Sequence, residues 1–274
     1  MMKHIYKKFN SLGEFSNYLN NGKVQPAFIN SQHSSTESTS KTRDCQTSTY
    51  QEADNLLLYG DKKLQKKIEA AGVYTTRLKL KSMQPKRQIY SAVCGVAPNV
   101  PNAIAGIPTA MINVREIRQK QKVLNICYSC SCGAGVSAQD IINTAAQFIS
   151  ACMLIEASGV RTNIYLSEIS QMSQTTAAFL VRIKSASQPF DVLKMCYPLA
   201  HPSMLRRHFF KAMEVTEGIP ESFVDGYGWA VNNKDTMQKA LGQDANNMNY
   251  ICGFYDCEGR TAEDIAKKIV GGDK

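Results

Sequence analysis

Between residues 122 and 167 the chain carries one pattern that limits its fold more than any other. Residues 122–128 (Lys-Val-Leu-Asn-Ile-Cys-Tyr) form a short apolar run, read as a buried strand. A loop of small residues follows over 129–135. Ser137 then stands where a helix N-cap is expected, with Asp140 three residues on, a variant of the capping box. Ile141, Ala145, Phe148, Cys152 and Ile155 hold one helical face, and Gly159 stops the helix. Residues 161–167 read as a second strand. A strand, loop, helix and strand in this order make a right-handed parallel crossover, and so an α/β sheet.

The flanking sequence extends the unit. Residues 177–184 read as a third strand. The roughly nine residues before it are too few for a crossover helix, so the second and third strands are expected to pair as an antiparallel hairpin at a sheet edge. Residues 192–199 are a further short segment or strand. Helices are expected at 202–217, with Pro202 in the first turn, and at 234–241, then a strand at 249–255 and a final helix capped by Thr261. Upstream, Phe9, Leu12, Phe15 and Leu19 recur at spacings of three and four, which predicts a helix over 1–22. Residues 93–112 hold three prolines and two glycines among apolar residues, which predicts a buried, irregular crossing segment.

The expected organisation is an N-terminal helical segment (1–29), a Ser/Thr/Gln-rich flexible linker (30–49), a basic helical region (50–90) and an α/β domain (91–274). No run of about 18 apolar residues suggests a membrane span. The start of the chain lacks the apolar core of a signal peptide. The nine cysteines are an odd number without framework spacing, which points to a reducing compartment, a cytoplasm. The net charge of +9 is uneven: +8 over 1–87, +6 over 88–212 and −5 over 213–274.

The densest basic stretch is Lys62, Lys63, Lys66, Lys67, Arg77, Lys79, Lys81, Lys86 and Arg87, with Glu69 as its one acid. It is either a solvated surface or a contact for nucleic acid or an acidic partner. Tyr74 and Tyr90 are its only aromatics, which disfavours single-strand binding by stacking.

Three groups of residues bear on chemistry. Ser129 and Ser131 follow the first core strand, where loops of open α/β sheets form the binding crevice. With Ser137 at the next helix start, they are either a contact surface or a polar turn that caps the helix. Cys127, Cys130 and Cys132 lack an evident fourth ligand for zinc. Arg206 and Arg207 could clamp a phosphate or carboxylate, with His201 nearby as a base, or could pair with acids inside a core helix. The sequence contains no phosphate-binding Gly-Lys-Ser/Thr loop, no Gly-x-Ser-x-Gly elbow and no paired metal-ligating histidines. No cofactor and no metal ion are expected.

Strand, Ser-x-Ser loop, helix, strand, hairpin and further helix–strand units resemble the von Willebrand factor A-type domain over residues 122–270. That resemblance implies a three-layer, Rossmann-type sheet. In that family an Asp-x-Ser-x-Ser motif holds a divalent ion; here Ser129 and Ser131 are kept but Cys127 replaces the Asp, so the resemblance implies the fold without the ion. Residues 96–111, the Ser129–Ser131 loop and residues 198–208 resemble an uncharacterised family encoded by tailed bacteriophages and prophages. This resemblance implies an origin, with the host cytoplasm as location, and no activity. Together these readings give a non-catalytic binding or assembly module that recognises a protein partner through Ser129, Ser131, Ser137, Arg206 and Arg207. The alternative is a nucleic-acid-binding protein using residues 62–87. Neither involves a membrane.

Overall fold

The computed structural model describes residues 3–29, 35–36, 45–71, 86–117 and 122–271. It resolves into two units, one of Met1–Leu78 with Val123–Lys274, the other of Lys79–Lys122. The large unit therefore takes in the first part of the chain together with residues from 123 onward.

The large unit begins with β1 (Lys3–Phe9) and α1 (Leu12–Asn21), then α2 (Tyr50–Tyr59) and α3 (Lys62–Ala71). The small unit holds β2 (Lys86–Ala92), β3 (Ala97–Pro98) and β4 (Met111–Ile117). The large unit resumes with β5 (Val123–Ser129), α4 (Ala138–Ala157), β6 (Arg161–Met172), β7 (Thr175–Lys184) and α5 (Val192–Ala200). A π-helical turn, Met204–Phe209, runs into α6 (Phe210–Val215). Next come β8 (Trp229–Ala230), α7 (Lys234–Leu241), β9 (Tyr250–Gly253) and α8 (Ala262–Gly271).

The main sheet has the order β1-β7-β6-β5-β9, with β8 added to β6. β5 lies parallel to both β6 and β9, and β6 pairs antiparallel with β7. The crossover from β5 through α4 to β6 is the one its apolar runs predict. Ser137 caps α4, accepting from the Asp140 amide at 3.1 Å. Alternation along the strands divides the interior into two layers. Leu124, Ile126 and Tyr128 of β5, with Phe179 and Val181 of β7, enter the larger core, which α1, α4, α5 and α8 cover. Cys127, Ala178, Leu180 and Ile251 face the other way and meet Met237, Ala240 and Leu241 of α7. Helices thus cover both faces of a mostly parallel sheet, a three-layer α/β arrangement.

In the large unit, four expectations change. Residues 3–9 are a strand, parallel to β7, so the helix expected over 1–22 begins only at Leu12. Phe9 ends that strand, although its spacing to Leu12 imitates a helical step. Ser11 starts the helix instead, its hydroxyl accepting from the Glu14 amide at 3.1 Å. Because β1 covers β7, the β6–β7 hairpin is not at the sheet edge. Residues 192–200 are helical, capped by Asp191. Parts of the expected linker are packed: Ser35, Cys45 and Thr47 are all buried.

In the small unit, β4 pairs antiparallel with β2 and β3. Residues 93–112 were expected to be buried, yet Val93, Val96, Val100 and Ile104 are exposed. Their backbone is satisfied locally, Val96 N–H bonding the Ile112 carbonyl at 2.8 Å and Asn99 N–H that of Ala110 at 2.8 Å. Gly95 permits this pairing, because a Cβ there would stand 2.1 Å from the Ile112 oxygen.

Candidate functional site

Loops at the carboxyl ends of β5 and β6 enclose a cavity of about 450 Å³. Such crevices are where open α/β sheets place their ligands. The β5 loop contributes Cys132, Gly133 and Ala134; β6 contributes Glu168, Ser170 and Met172. Arg206 comes from the π-helical turn and Phe210 from the start of α6. Asp225 to Ala230 close the far wall.

That wall is a turn the backbone must be held into. Gly226, Tyr227 and Gly228 all have positive φ, of 114°, 64° and 82°. Tyr227 is the unusual one, since a side chain disfavours that region. Two contacts hold it. Its hydroxyl donates to Glu214 Oε1 at 2.7 Å, and its ring stacks on Phe210 with centroids 3.9 Å apart. Glu214 is itself fixed by the Ser35 amide at 2.7 Å. The turn carries the chain into Trp229, which is 77% exposed although it lines the cavity. It is the chain's only tryptophan.

The floor is Glu168. Its residue is buried to 1% exposure. Ser170 Oγ donates to its Oε1. Its Oε2 has no hydrogen-bond partner among the described residues. Burial pushes the carboxyl up to about 8, against the opposing Ser170 bond. Neighbouring thiols add no charge at neutral pH: burial lifts Cys132 to about 11 and Cys130 well above the usual thiol range.

The expected site residues separate. Ser129 and Ser131 are each 1% exposed and turn inward. Ser129 Oγ donates to Ser131 Oγ at 3.0 Å, and Ser131 Oγ accepts from the Ile169 amide at 2.8 Å. They tie the β5 loop to β6 and offer no surface to a partner. Ser137 remains exposed and serves as the α4 cap. Arg207 is fully buried. Its guanidinium donates to Thr47 Oγ1 at 2.8 Å, to the Thr47 carbonyl at 2.9 Å and to the Ser35 carbonyl at 3.1 Å. It is an internal strut, and a partner cannot reach it. Arg206, its neighbour in sequence, lines the cavity while donating to the Val136 carbonyl at 2.9 Å. His201 is buried away from the cavity lining, accepts from the Ser203 amide at 3.1 Å, and is pushed down to about 4 by burial.

Of the basic stretch, Lys62, Lys63, Lys66 and Lys67 are exposed along α3, whose Leu64 and Ile68 are buried. Arg87 is exposed on β2 of the other unit, and Lys86 lies on the same strand. Arg77, Lys79 and Lys81 lie outside the described residues.

Glu168 and the Gly226–Trp229 turn were not singled out by sequence reasoning. Two signals were present: an isolated carboxylate at the carboxyl end of an apolar strand, and a Gly-Tyr-Gly-Trp run between helices.

A family model described as a domain of unknown function (DUF7192) matches residues 2–270. The chain belongs to this family. The match takes in both units, so the family's domain includes the small unit as well as the sheet. No curated protein and no solved structure matches the chain. Among the described residues, no helix is long and apolar enough to cross a membrane.

Proposed function

We propose that the protein is a non-catalytic binding or assembly module that recognises a protein partner at the crevice beyond the ends of β5 and β6. The observation that carries this reading is the crevice itself. It is concave, lined by Tyr227, Phe210 and an exposed Trp229, with one wall formed by a turn of three positive-φ residues. Aromatic anchors in a preformed pocket are the usual centre of a recognition surface. Arg206 keeps its place in this reading, and Ser137 sits at the rim of the same loop; Ser129, Ser131 and Arg207 act only as supports.

The finer readings are proposals of the same standing. The order β7-β6-β5-β9, with one antiparallel member, supports a domain of the von Willebrand factor A kind. A divalent ion of the sort that family holds does not fit these residues. Cys127 is fully buried with its thiol pushed up to about 12, and the two serine hydroxyls bond each other. A tailed-phage origin, acting in the host cytoplasm, remains the reading of residues 96–111 and 198–208.

A second reading has its own observation. Lys62, Lys63, Lys66 and Lys67 form an exposed basic face on α3, suited to phosphates.

The two are separated by a pulldown from host or infected lysate with nuclease, at two salt concentrations. The first reading expects a protein that survives nuclease and moderate salt. That protein is lost on Trp229→Ala and on Ala134→Trp, which fills the cavity mouth. Recovery of nucleic acid alone, released by salt and by neutralising the four lysines, reverses the ranking.

A further inference from the structure

The crevice has a chemical preference written into its floor. A buried carboxyl oxygen without a partner is rare, because desolvating it costs free energy that a bond normally returns. Here Glu168 Oε1 is satisfied by Ser170 and Oε2 is left open, at the floor of a cavity. The group that satisfies a bare carboxylate oxygen best is a charged donor. Trp229 lines the same cavity, and its largely exposed ring offers a face that attracts cations, while Tyr227 and Phe210 stack on each other behind it. The cation already in the lining, Arg206, is committed to the Val136 carbonyl. Asp225 adds a second acid to the wall.

We propose that this cavity binds an organic cation, an ammonium or guanidinium group, seated between the Glu168 carboxylate and the Trp229 ring. The proposal rests on the reading of this crevice as the recognition site and names its ligand class. A Lys or Arg side chain of the partner and a free amine share this chemistry.

The proposal carries a pH signature. Cys130 and Cys132 of the β5 loop feel the Glu168 charge and Ser170 on β6 bonds it, while Arg206, Asp225 and Tyr227 share the cavity lining with it. The two thiols and the Tyr227 phenol are raised by burial and stay neutral through the relevant range. The titrating group is therefore Glu168, with a value of about 8. A cation binds the ionised form, so apparent affinity strengthens roughly tenfold from pH 7 to pH 9, following the ionised fraction.

Trp229 reports on the site directly, since no other tryptophan contributes to its emission. The full chain is titrated with n-butylguanidinium and n-butylammonium, against the neutral near-isostere n-butylurea and the anion butyrate. The expected result is a saturable change in Trp229 emission with the cations, at least tenfold weaker with butylurea and butyrate. Glu168→Gln lowers cation affinity at least tenfold and removes its rise with pH. Equal response to butylurea or butyrate overturns the proposal, as does cation binding that is flat between pH 7 and pH 9. The selectivity and the pH profile are read on the unaltered protein, so they hold even where Glu168→Gln fails to fold.

An arginine peptide compared with its citrulline counterpart then distinguishes the sources. Binding of the arginine peptide assigns the site to a partner side chain, and binding of butylguanidinium alone assigns it to a free amine. Partner capture that needs Trp229 but shows no cation selectivity overturns the ligand class and leaves the recognition site standing. Cation binding with partner capture indifferent to Trp229→Ala does the reverse.

Discussion

Glu168 makes the stability of this protein depend on pH in a way that one substitution isolates. Its carboxyl ionises near 4.5 in an exposed chain and is pushed up to about 8 in the fold by burial. Between those values the unfolded chain has released the proton while the folded protein still holds it. Stability from this group is therefore complete below pH 4.5 and falls as pH rises, until both states are ionised above pH 8. A separation of that size corresponds to about 5 kcal/mol in all, and a slope of roughly 1.4 kcal/mol per pH unit in the middle of the range. Glu168→Gln has no such proton. Its amide keeps the Ser170 bond and leaves one unpaired group, a cost that does not change with pH. Urea unfolding of both proteins at pH 5, 6, 7, 8 and 9 gives the difference between them, from which every shared titration cancels. The variant should gain on the wild type steadily from pH 5 to pH 8, by a few kcal/mol, and level off by pH 9. A difference that stays flat across the series would falsify the burial argument, and with it the expected rise of cation affinity between pH 7 and pH 9.

Two further substitutions test the supports of the site. Arg207→Met should destabilise the protein by about 2–4 kcal/mol, because it strands the Thr47 and Ser35 carbonyls in the interior; an unchanged denaturation midpoint would return Arg207 to the list of surface contacts. Ser137→Ala removes the α4 cap and should cost about 1 kcal/mol, read from the shift in urea midpoint; an unchanged midpoint would refute the capping role.

Much of the sheet was legible because its signals are local. The β5–α4–β6 unit announces itself through an apolar run, a capping serine and a helical face, and each of these acts within a few residues. β1 escaped because Phe9 satisfies two periods at once, and only its pairing with β7 decides between them. The same long-range pairing moved the hairpin away from the edge. Ser35, Cys45 and Thr47 sit in a polar stretch that composition marks as a linker, yet Arg207 bonds the Ser35 and Thr47 oxygens inside and Ser203 bonds the Cys45 carbonyl. The site was harder still. Arg206 and Arg207 are indistinguishable as residues, and the π-helical turn that sends one to the cavity and the other to the core has no periodic signature. The cavity wall depends on three consecutive positive φ values, and the glycines on either side of Tyr227 were the sole hint of them. Glu168 looked like an ordinary strand-end acid, because its missing partner is a property of the fold.

The most direct test of the recognition site is to ask where a partner lands. A photoreactive benzoylphenylalanine placed at position 135, beside the cavity-lining Ala134 and with open space for a side chain, and separately at position 66 on the basic face of α3, is irradiated in lysate and the crosslinked protein identified. A partner held at the crevice gives one protein crosslinked from position 135, suppressed by millimolar n-butylguanidinium and by Trp229→Ala, and none of it from position 66. Crosslinks from position 66 alone, or from position 135 without competition by the cation or loss on Trp229→Ala, would contradict the recognition site.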